Sequence, residues 1–340
     1  MNTLFRIEKQ ASLTLLASFT AWQIALLIIL LMAFVFLIWL ILEPLFLNIK
    51  EEELEPADST VQDGGESTAL SADTLRVTFF SDYHAGTRRS PFSKILEAVS
   101  RQDTDIVIFG GDLSNGEKDK AKGLHEMRQI ADAVQKSVGL PVFGVWGNHD
   151  HSLTGDEAEQ AGLLLLNNEA ILVRSIDGKD WLIAGEMDIR SGTPDARKAF
   201  LTPSERWIQS LVDDEQGRSV DELRIYWKKR FADIPTSRRI VVGHNPDQIL
   251  ALDETVCSYF LSGHFHGGQI RLPFRMEYIL LREEQLIKMG IFSGAFELQG
   301  IRGFITKGVG CVLFPFRFLA RPEINLLRLK EAKDHNESVE

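Results

Sequence analysis

Apolar and polar positions divide this chain into two unlike stretches. From position 25 to 42 there is no charged residue and little besides Leu, Ile, Val, Phe, Ala and Met; beyond Glu43-Pro44 the apolar run resumes as far as Ile49. A run of roughly 18 or more apolar residues is long enough to cross a bilayer as a helix. The pattern predicts an N-terminal segment, 1–50, built on one transmembrane helix at about 25–46. A cleaved signal peptide would show a shorter apolar core and a small-residue cleavage site, and neither is evident. Positions 11–20 are apolar enough to extend a tilted helix or to lie at the interface, where Trp22 and Trp39 are suited to sit. The acidic stretch 51–73, rich in Ser, Thr, Asp and Gly with Gly64-Gly65 at its centre, reads as a flexible, self-repelling linker.

After residue 73 the period changes. Short β-branched or aromatic runs at 75–80, 106–109, 142–146, 240–242 and 259–261 read as buried strands. Two apolar stripes at helical spacing, Phe92, Ile95, Leu96 and Val99, then Leu124, Met127, Ala131, Val134 and Val138, make the first half βαβαβ. Positions 171–173 and 181–184 flank Asp177-Gly178 and predict a hairpin. Residues 202–239 are polar, with Asp213-Asp214-Glu215 and Lys228-Lys229-Arg230; Glu222-Leu223-Arg224 and Trp227 mark a helix there, read as a solvated outer helix ahead of a lid. In 309–320, Phe314, Phe316 and Phe318 alternate around Pro315 and Arg317. Edge-strand packing is the first reading of that stretch, and an acyl groove or membrane contact the second. A polar tail, 331–340, ends the chain.

Composition narrows the function classes. The formal net charge of −11 argues against nonspecific nucleic-acid binding, which needs a basic face to displace counterions. Cys257 and Cys311 supply no disulfide framework and read as core residues.

The chemistry lies at the strand ends. Six of the eight histidines fall in four blocks, Asp82-Tyr83-His84, Gly147-Asn148-His149-Asp150-His151, Gly243-His244-Asn245 and Gly263-His264-Phe265-His266, and a fifth block is Gly110-Gly111-Asp112. Each follows one of the five predicted strands, where open α/β sheets place their ligands. A lone histidine after a strand is most often a cap or a core residue. Five blocks in series, beside Gly-Asp and Asn, have no structural reason to be there. Imidazole, carboxylate and amide oxygens suit borderline divalent metals, and the supply is too large for one ion. The flanking glycines are read as sharp turns that aim the ligands. Asp150 either orients a neighbouring imidazole or caps a turn, and His151 is read as a neighbour of the ligands or a partly exposed residue, not a seventh ligand.

At these residues the chain resembles the calcineurin-like metallophosphoesterase superfamily, whose pattern runs D-x-H, G-D, G-N-H-[DE], H and G-H-x-H, over 75 to about 330. The resemblance implies an α/β fold, a four-layer sandwich of two facing mixed sheets flanked by helices, over a domain at 74–330. It assigns Asp82, His84 and His266 to one metal, Asn148, His244 and His264 to the other, and Asp112 to both as the bridge. His149 becomes the general acid. Two such cations polarise phosphoryl oxygens and activate water. Mn, Fe and Zn all accept this ligand set, with Mn favoured.

The run Gly263-His264-Phe265-His266-Gly267-Gly268-Gln269, with Arg271-Leu272-Pro273-Phe274 after it and Arg321-Pro322-Glu323-Ile324 near the end, is similar to a membrane-linked bacterial branch of YkuE-like phosphoesterases. That branch includes the LpxG-type UDP-2,3-diacylglucosamine pyrophosphatases, which release lipid X and UMP. Tyr83 departs from the aliphatic residue many members carry. Arg88, Arg89, Arg271 and Arg317 are candidates to hold a second phosphate, since guanidinium forks match phosphate oxygens. The resemblance implies an inner-membrane, single-pass enzyme with a lipid-linked phosphate substrate. Arg6 and Lys9 before the span against Lys50 after it favour an external catalytic domain. A nucleotide-linked lipid implies the cytoplasmic face, and the substrate resemblance is given precedence. A phosphodiesterase acting on envelope material is the alternative; a scaffold without catalysis would be expected to have lost a ligand, and none is missing.

Overall fold

The computed structural model describes residues 21–57, 74–190, 192–211 and 218–331. Helix α1 (Ala21–Leu42) is a unit by itself. Its side chains are almost all apolar, and by length and composition it is a helix that could cross a membrane. It begins and ends a few residues earlier than the pattern predicts.

The second unit, 43–340, holds β1 (Asn48–Leu54), β2 (Thr74–Phe80), α2 (Phe92–Val99), β3 (Ile106–Phe109), α3 (Glu117–Ser137), β4 (Val142–Gly144), α4 (Gly155–Gln160), β5 (Leu163–Leu165), β6 (Glu169–Arg174) and β7 (Asp180–Gly185). It continues with α5 (Ala196–Ala199), α6 (Glu205–Leu211), α7 (Val220–Ala232), β8 (Arg239–Val242), β9 (Tyr259–Ser262), α8 (Met276–Leu281), α9 (Gln285–Lys288), β10 (Gly294–Leu298), β11 (Ile301–Ile305) and β12 (Glu323–Lys330). One sheet has the order β1-β12-β2-β3-β4-β5 and the other β10-β11-β9-β8-β7-β6. Strands β2 to β5 are parallel, as are β7, β8, β9 and β11. The hairpin β6–β7 pairs Ile171 with Ile183, and the Asp177-Gly178 turn closes it.

Side chains alternate across a strand, so each sheet has two destinations for its apolar residues. Leu75, Val77 and Phe79 of β2 and Ile106 and Ile108 of β3 point between the sheets, against Trp181, Ile183 and Phe260. Phe80, Val107 and Phe109 point outward, onto Ile95 and Val99 of α2 and Met127, Ile130 and Val134 of α3. Helices α6 and α7 bury Trp207, Ile208, Leu223 and Phe231 in the main core. Two mixed sheets flanked by helices result, as the family resemblance implies.

Two expectations need correction, and a third, the outer helix, is met. The acidic stretch 51–73 is not a tether throughout: Glu51 to Leu54 belong to β1, which runs parallel to β12, with Lys50 and Lys307 both on the buried Glu323 at 3.1 and 3.0 Å. The boundary expected at residue 50 therefore falls inside a strand, and the remainder of the stretch, 58–73, lies outside the described residues. The segment 309–320 is an irregular loop, not an edge strand. Leu313 and Leu319 have positive φ, Pro315 has no N–H to give, and the buried guanidinium of Arg317 takes the carbonyls a ladder would need. The polar stretch 202–239 is an outer helix pair. Arg230 and Arg238 fasten it to Asp180 at the start of β7, the end away from the metal blocks, through Asp180 Oδ2 at 2.6 Å and Asp180 O at 2.8 Å.

Truncation after Leu42 should leave a soluble domain that unfolds cooperatively, because β1 is kept. Truncation after Ala57 removes β1 and uncovers β12; the lost burial of Leu54 alone is worth about 1.5–3 kcal/mol, so Tm should drop by about 3 °C or more. Scanning calorimetry of both proteins checks this, and equal transitions would show β1 to be dispensable.

Candidate metal centre

Every block of the sequence pattern sits just past the C-terminal end of a parallel strand: Asp82 and His84 after β2, Asp112 after β3, Asn148 and His149 after β4, His244 after β8, His264 and His266 after β9. The two sheets thus deliver their ligands to one place. Backbone bonds tie the strand-end loops together: the Asp82 amide donates to Gly111 O at 2.9 Å, His84 to Asp112 O at 3.0 Å, and Gly263 to His244 O at 3.2 Å.

The ligands, more than the glycines, do the turning. Asp82, His84, Asp112, His264 and His266 all have φ between +43° and +71°, a region that costs a residue with a side chain about 1–3 kcal/mol. The glycines chiefly allow close approach. A Cβ on Gly147 would lie 2.1 Å from Asp112 Oδ1, and one on Gly263 2.5 Å from Asp82 Oδ2.

Two clusters of donor atoms share Asp112. Asp82, His84, Asp112 and His266 form the first, with His84 Nε2 and His266 Nε2 3.2 Å apart and Asp82 Oδ1 3.2 Å from His266 Nε2. Asp112, His244 and His264 form the second, with Asp112 Oδ2 3.2 Å from His244 Nε2, and His244 Nε2 3.3 Å from His264 Nδ1. All are buried. His244 Nδ1 faces Gly110 O at 2.7 Å and His264 Nε2 faces Glu284 Oε1 at 3.1 Å, so the nitrogen left on each ring points inward, as metal-ligating imidazoles are held.

Electrostatics fit the same use. Burial lowers the His84 and His264 imidazoles to about 4 and takes His266 well below its usual value, so all three are neutral lone-pair donors at neutral pH. Burial opposes charge on His244 too, but Asp112 outweighs it and raises this imidazole to about 10; Asp112 in turn is held well below the ordinary carboxylate range. A cation binding here displaces the proton of that pair. Asn148 Oδ1 is buried with no hydrogen-bond partner among the described residues, the condition of an amide oxygen placed for a metal. The donor set fits two divalent ions: Asp82, His84, Asp112 and His266 would hold one, and Asp112, Asn148, His244 and His264 the other.

The remaining candidates divide. His149 is half-buried; its amide donates to Asp112 Oδ1 at 2.8 Å and its ring stands edge-on to His84 at 5.2 Å. His151 is exposed. Asp150 orients no imidazole: its carboxylate accepts the amides of Asp112, Leu113 and Gly147 at 2.7, 2.8 and 3.0 Å, locking the loop after β3 to the loop after β4. Tyr83 is buried and donates to Glu126 Oε2 at 2.8 Å, so it braces α3. Cys257 and Cys311 are buried and free.

Two of the arginine candidates fail. Arg317 is buried and spends its guanidinium on the carbonyls of His266, Lys307, Gly308, Gly310 and Ala320. Arg88 is paired with Glu126 at 2.9 Å and bonded to Ser90 O. Arg89 is exposed, and Arg271, on Gly267 O at 3.1 Å, borders a cavity of about 290 Å³ with Arg275, Tyr278 and Phe292.

Three residues beside the site escaped the sequence reading. Glu284 and Arg282 bond to His264 Nε2 from the stretch before α9, which no strand or motif announces. Burial would raise Glu284, but His264 and Arg282 pull it down to about 2. Buried Asp188 follows β7 much as Asp82 follows β2, a signal that was present.

Fold and site together define a metal-dependent hydrolase with ligands at the strand ends of two facing sheets. Residues 75–268 match the calcineurin-like phosphoesterase family, more than half of the chain, and the protein belongs to that family. It is 23% identical over 269 residues to the metallophosphoesterase YkuE of Bacillus subtilis, covering 76% of this chain and 80% of that one. It is 24% identical over 265 residues to the phosphodiesterase YaeI of Escherichia coli, covering 75% and 82%. A transmembrane protein with a metallophosphoesterase domain from Danio rerio is 25% identical over 279 residues, covering 78% of this chain and 56% of the relative.

Asp112→Ala should lower metal content from about two ions per chain to one or none and abolish hydrolysis, because both clusters lose their shared oxygen. Elemental analysis alongside activity tests this. Full metal content with near-native turnover would overturn the assignment.

Proposed function

We propose that the protein is a membrane-anchored phosphohydrolase that uses two divalent cations, Mn²⁺ favoured, to cleave a phosphodiester or pyrophosphate bond in a lipid-linked substrate. UDP-2,3-diacylglucosamine is the preferred substrate, yielding lipid X and UMP in lipid A biosynthesis. The observation that carries the chemistry is the pair of donor clusters joined through Asp112. When bound, the cations polarise the phosphoryl oxygens and activate water. The apolar helix α1 supports the anchor in the inner membrane, and the Gly263 to Gln269 run supports the substrate.

The chain's own residues do the rest. His149 holds its backbone on Asp112 and keeps its ring half-buried at the rim, so its imidazole reaches both the site and water. It is the group placed to protonate the departing oxygen. Asn148 contributes an oxygen without charge, which leaves the site positive for an anionic substrate. A second reading is a phosphodiesterase acting on envelope material; only the bond type in it is supported by the name of the E. coli relative, a phosphodiesterase.

His149→Ala should retain its metal and slow turnover by about 10² to 10⁴. The deficit should shrink for nitrophenyl esters, whose leaving groups need no proton; a loss of metal, or a deficit independent of leaving group, would remove His149 from that role.

Substrate class is tested by giving the detergent-solubilised, Mn²⁺-loaded protein UDP-2,3-diacylglucosamine, bis-p-nitrophenyl phosphate and a phosphomonoester, and comparing rates. The nucleotide-linked lipid should be fastest. A reporter active only outside the cytoplasm, fused after Glu340, should then be silent, and strong reporter activity would leave envelope phosphodiesters as the target.

A further inference from the structure

Two loops beside the metal-binding turn hold large apolar side chains out in solvent. Leu272, Phe274 and Met276 stand on one, Phe274 being 91% exposed; Leu313, Phe314 and Leu319 stand on the other at 78%, 63% and 61%. Phe274, Leu313 and Leu319 also have positive φ, so the backbone bears strain where these side chains are presented. Exposed apolar side chains gathered on one face mark an interaction surface.

The two loops and the metal site form one rigid piece. Arg271 N–H donates to Phe318 O and Phe318 N–H to Gln269 O, both at 2.9 Å. The Gln269 side chain accepts the Val312 amide at 2.7 Å and donates to Val312 O at 3.0 Å. Arg317 joins Ala320 O at 2.7 Å to His266 O at 3.3 Å, so the apolar loop is braced directly against a candidate metal ligand. Arg275 and Arg321 are exposed beside it, the former over Phe292 and the latter over Phe46. Apolar and aromatic side chains edged by arginine suit the headgroup region of a bilayer.

Chain connectivity identifies the occupant. The buried carboxylate of Glu43 accepts the amides of Leu319 at 2.9 Å and Ala320 at 2.7 Å, and Ser90 Oγ donates to Pro44 O at 3.2 Å. Glu43 follows directly on Leu42, the last residue of the apolar helix, and consecutive Cα atoms lie about 3.8 Å apart. The first residue after that helix is thus bonded to the loop that carries Leu313, Phe314 and Leu319.

We propose that this face docks on the bilayer: Phe274, Leu313, Phe314 and Leu319 enter its interfacial region, and the metal centre receives its phosphate from the plane of the membrane. The inference rests on the membrane-anchor reading and deepens the lipid-substrate reading. The test uses the full chain in nanodiscs of phosphatidylethanolamine and phosphatidylglycerol. Cysteine replaces Phe314, Phe274 or, as control, Ile225 on α7, and carries an environment-sensitive dye; native Cys257 and Cys311 are buried and stay unlabelled. Spin-labelled lipids should quench the dye at 314 and 274 and not at 225. Absence of quenching at 314 and 274, or equal quenching at all three, overturns the proposal, and so does shielding of 314 by a second copy without lipid contact. This readout needs no hydrolysis, so it stands apart from the failure of any substrate assignment. Replacing Leu313, Phe314 and Leu319 together with Ser should also slow cleavage of a phosphodiester borne on vesicle lipid by roughly tenfold while sparing soluble bis-p-nitrophenyl phosphate. Equal effects on both substrates would count against docking.

Discussion

The carboxylate of Asp112 is where the two sheets meet. One oxygen lies 3.2 Å from His244 Nε2, delivered by the second sheet, and 3.6 Å from His84 Nε2, delivered by the first; the other oxygen accepts the His149 amide. Its own amide is held by Asp150. A full negative charge at this depth is stable only among groups that answer it. The histidines, the Asp150 clamp and the cations the site is built for are those groups. Because these side chains come from the ends of β2, β4 and β8, two strands of one sheet and one of the other, the chemistry depends on both sheets being in register.

The site was legible in sequence because each ligand is a local signal, a polar residue just past a short apolar run. The five strands that lead into the ligand blocks were legible for the same reason, and the β6–β7 hairpin through its Asp177-Gly178 turn. Long-range pairing was not. Glu51, Glu52 and Glu53 look like a linker until β12, from the far end of the chain, supplies the partner that makes them a strand. Arginine is ambiguous in another way: a guanidinium that braces five carbonyls, as Arg317 does, carries the same letter as one that binds phosphate. The glycines misled in mechanism though not in place. Gly147 and Gly263 are there because neighbouring carboxylates leave no room for a Cβ, while Asp82 and His264 take the strained turns themselves.

That strain has an energetic meaning. Five ligands in left-handed backbone store free energy in the folded chain, offset by the bonds between strand-end loops and by whatever the ligands bind. Metal binding at this centre would therefore be coupled to folding, because a metal that binds the folded form alone adds to its stability.

Strand β1 carries a consequence of a different kind. It is the outermost strand of its sheet, and Glu51 and Glu53 project from it into solvent. A bare strand edge invites pairing with another chain, and charged side chains are a common defence. Proteins confined to a membrane diffuse in two dimensions, where copies collide edge-on far more often than in free solution. On this strand Glu51 is paired with Arg101 and Arg328 and Glu53 with Lys330, so a second strand could add to the edge only by disturbing fixed, hydrated ion pairs, and crowding of copies need not lead to sheet-to-sheet association.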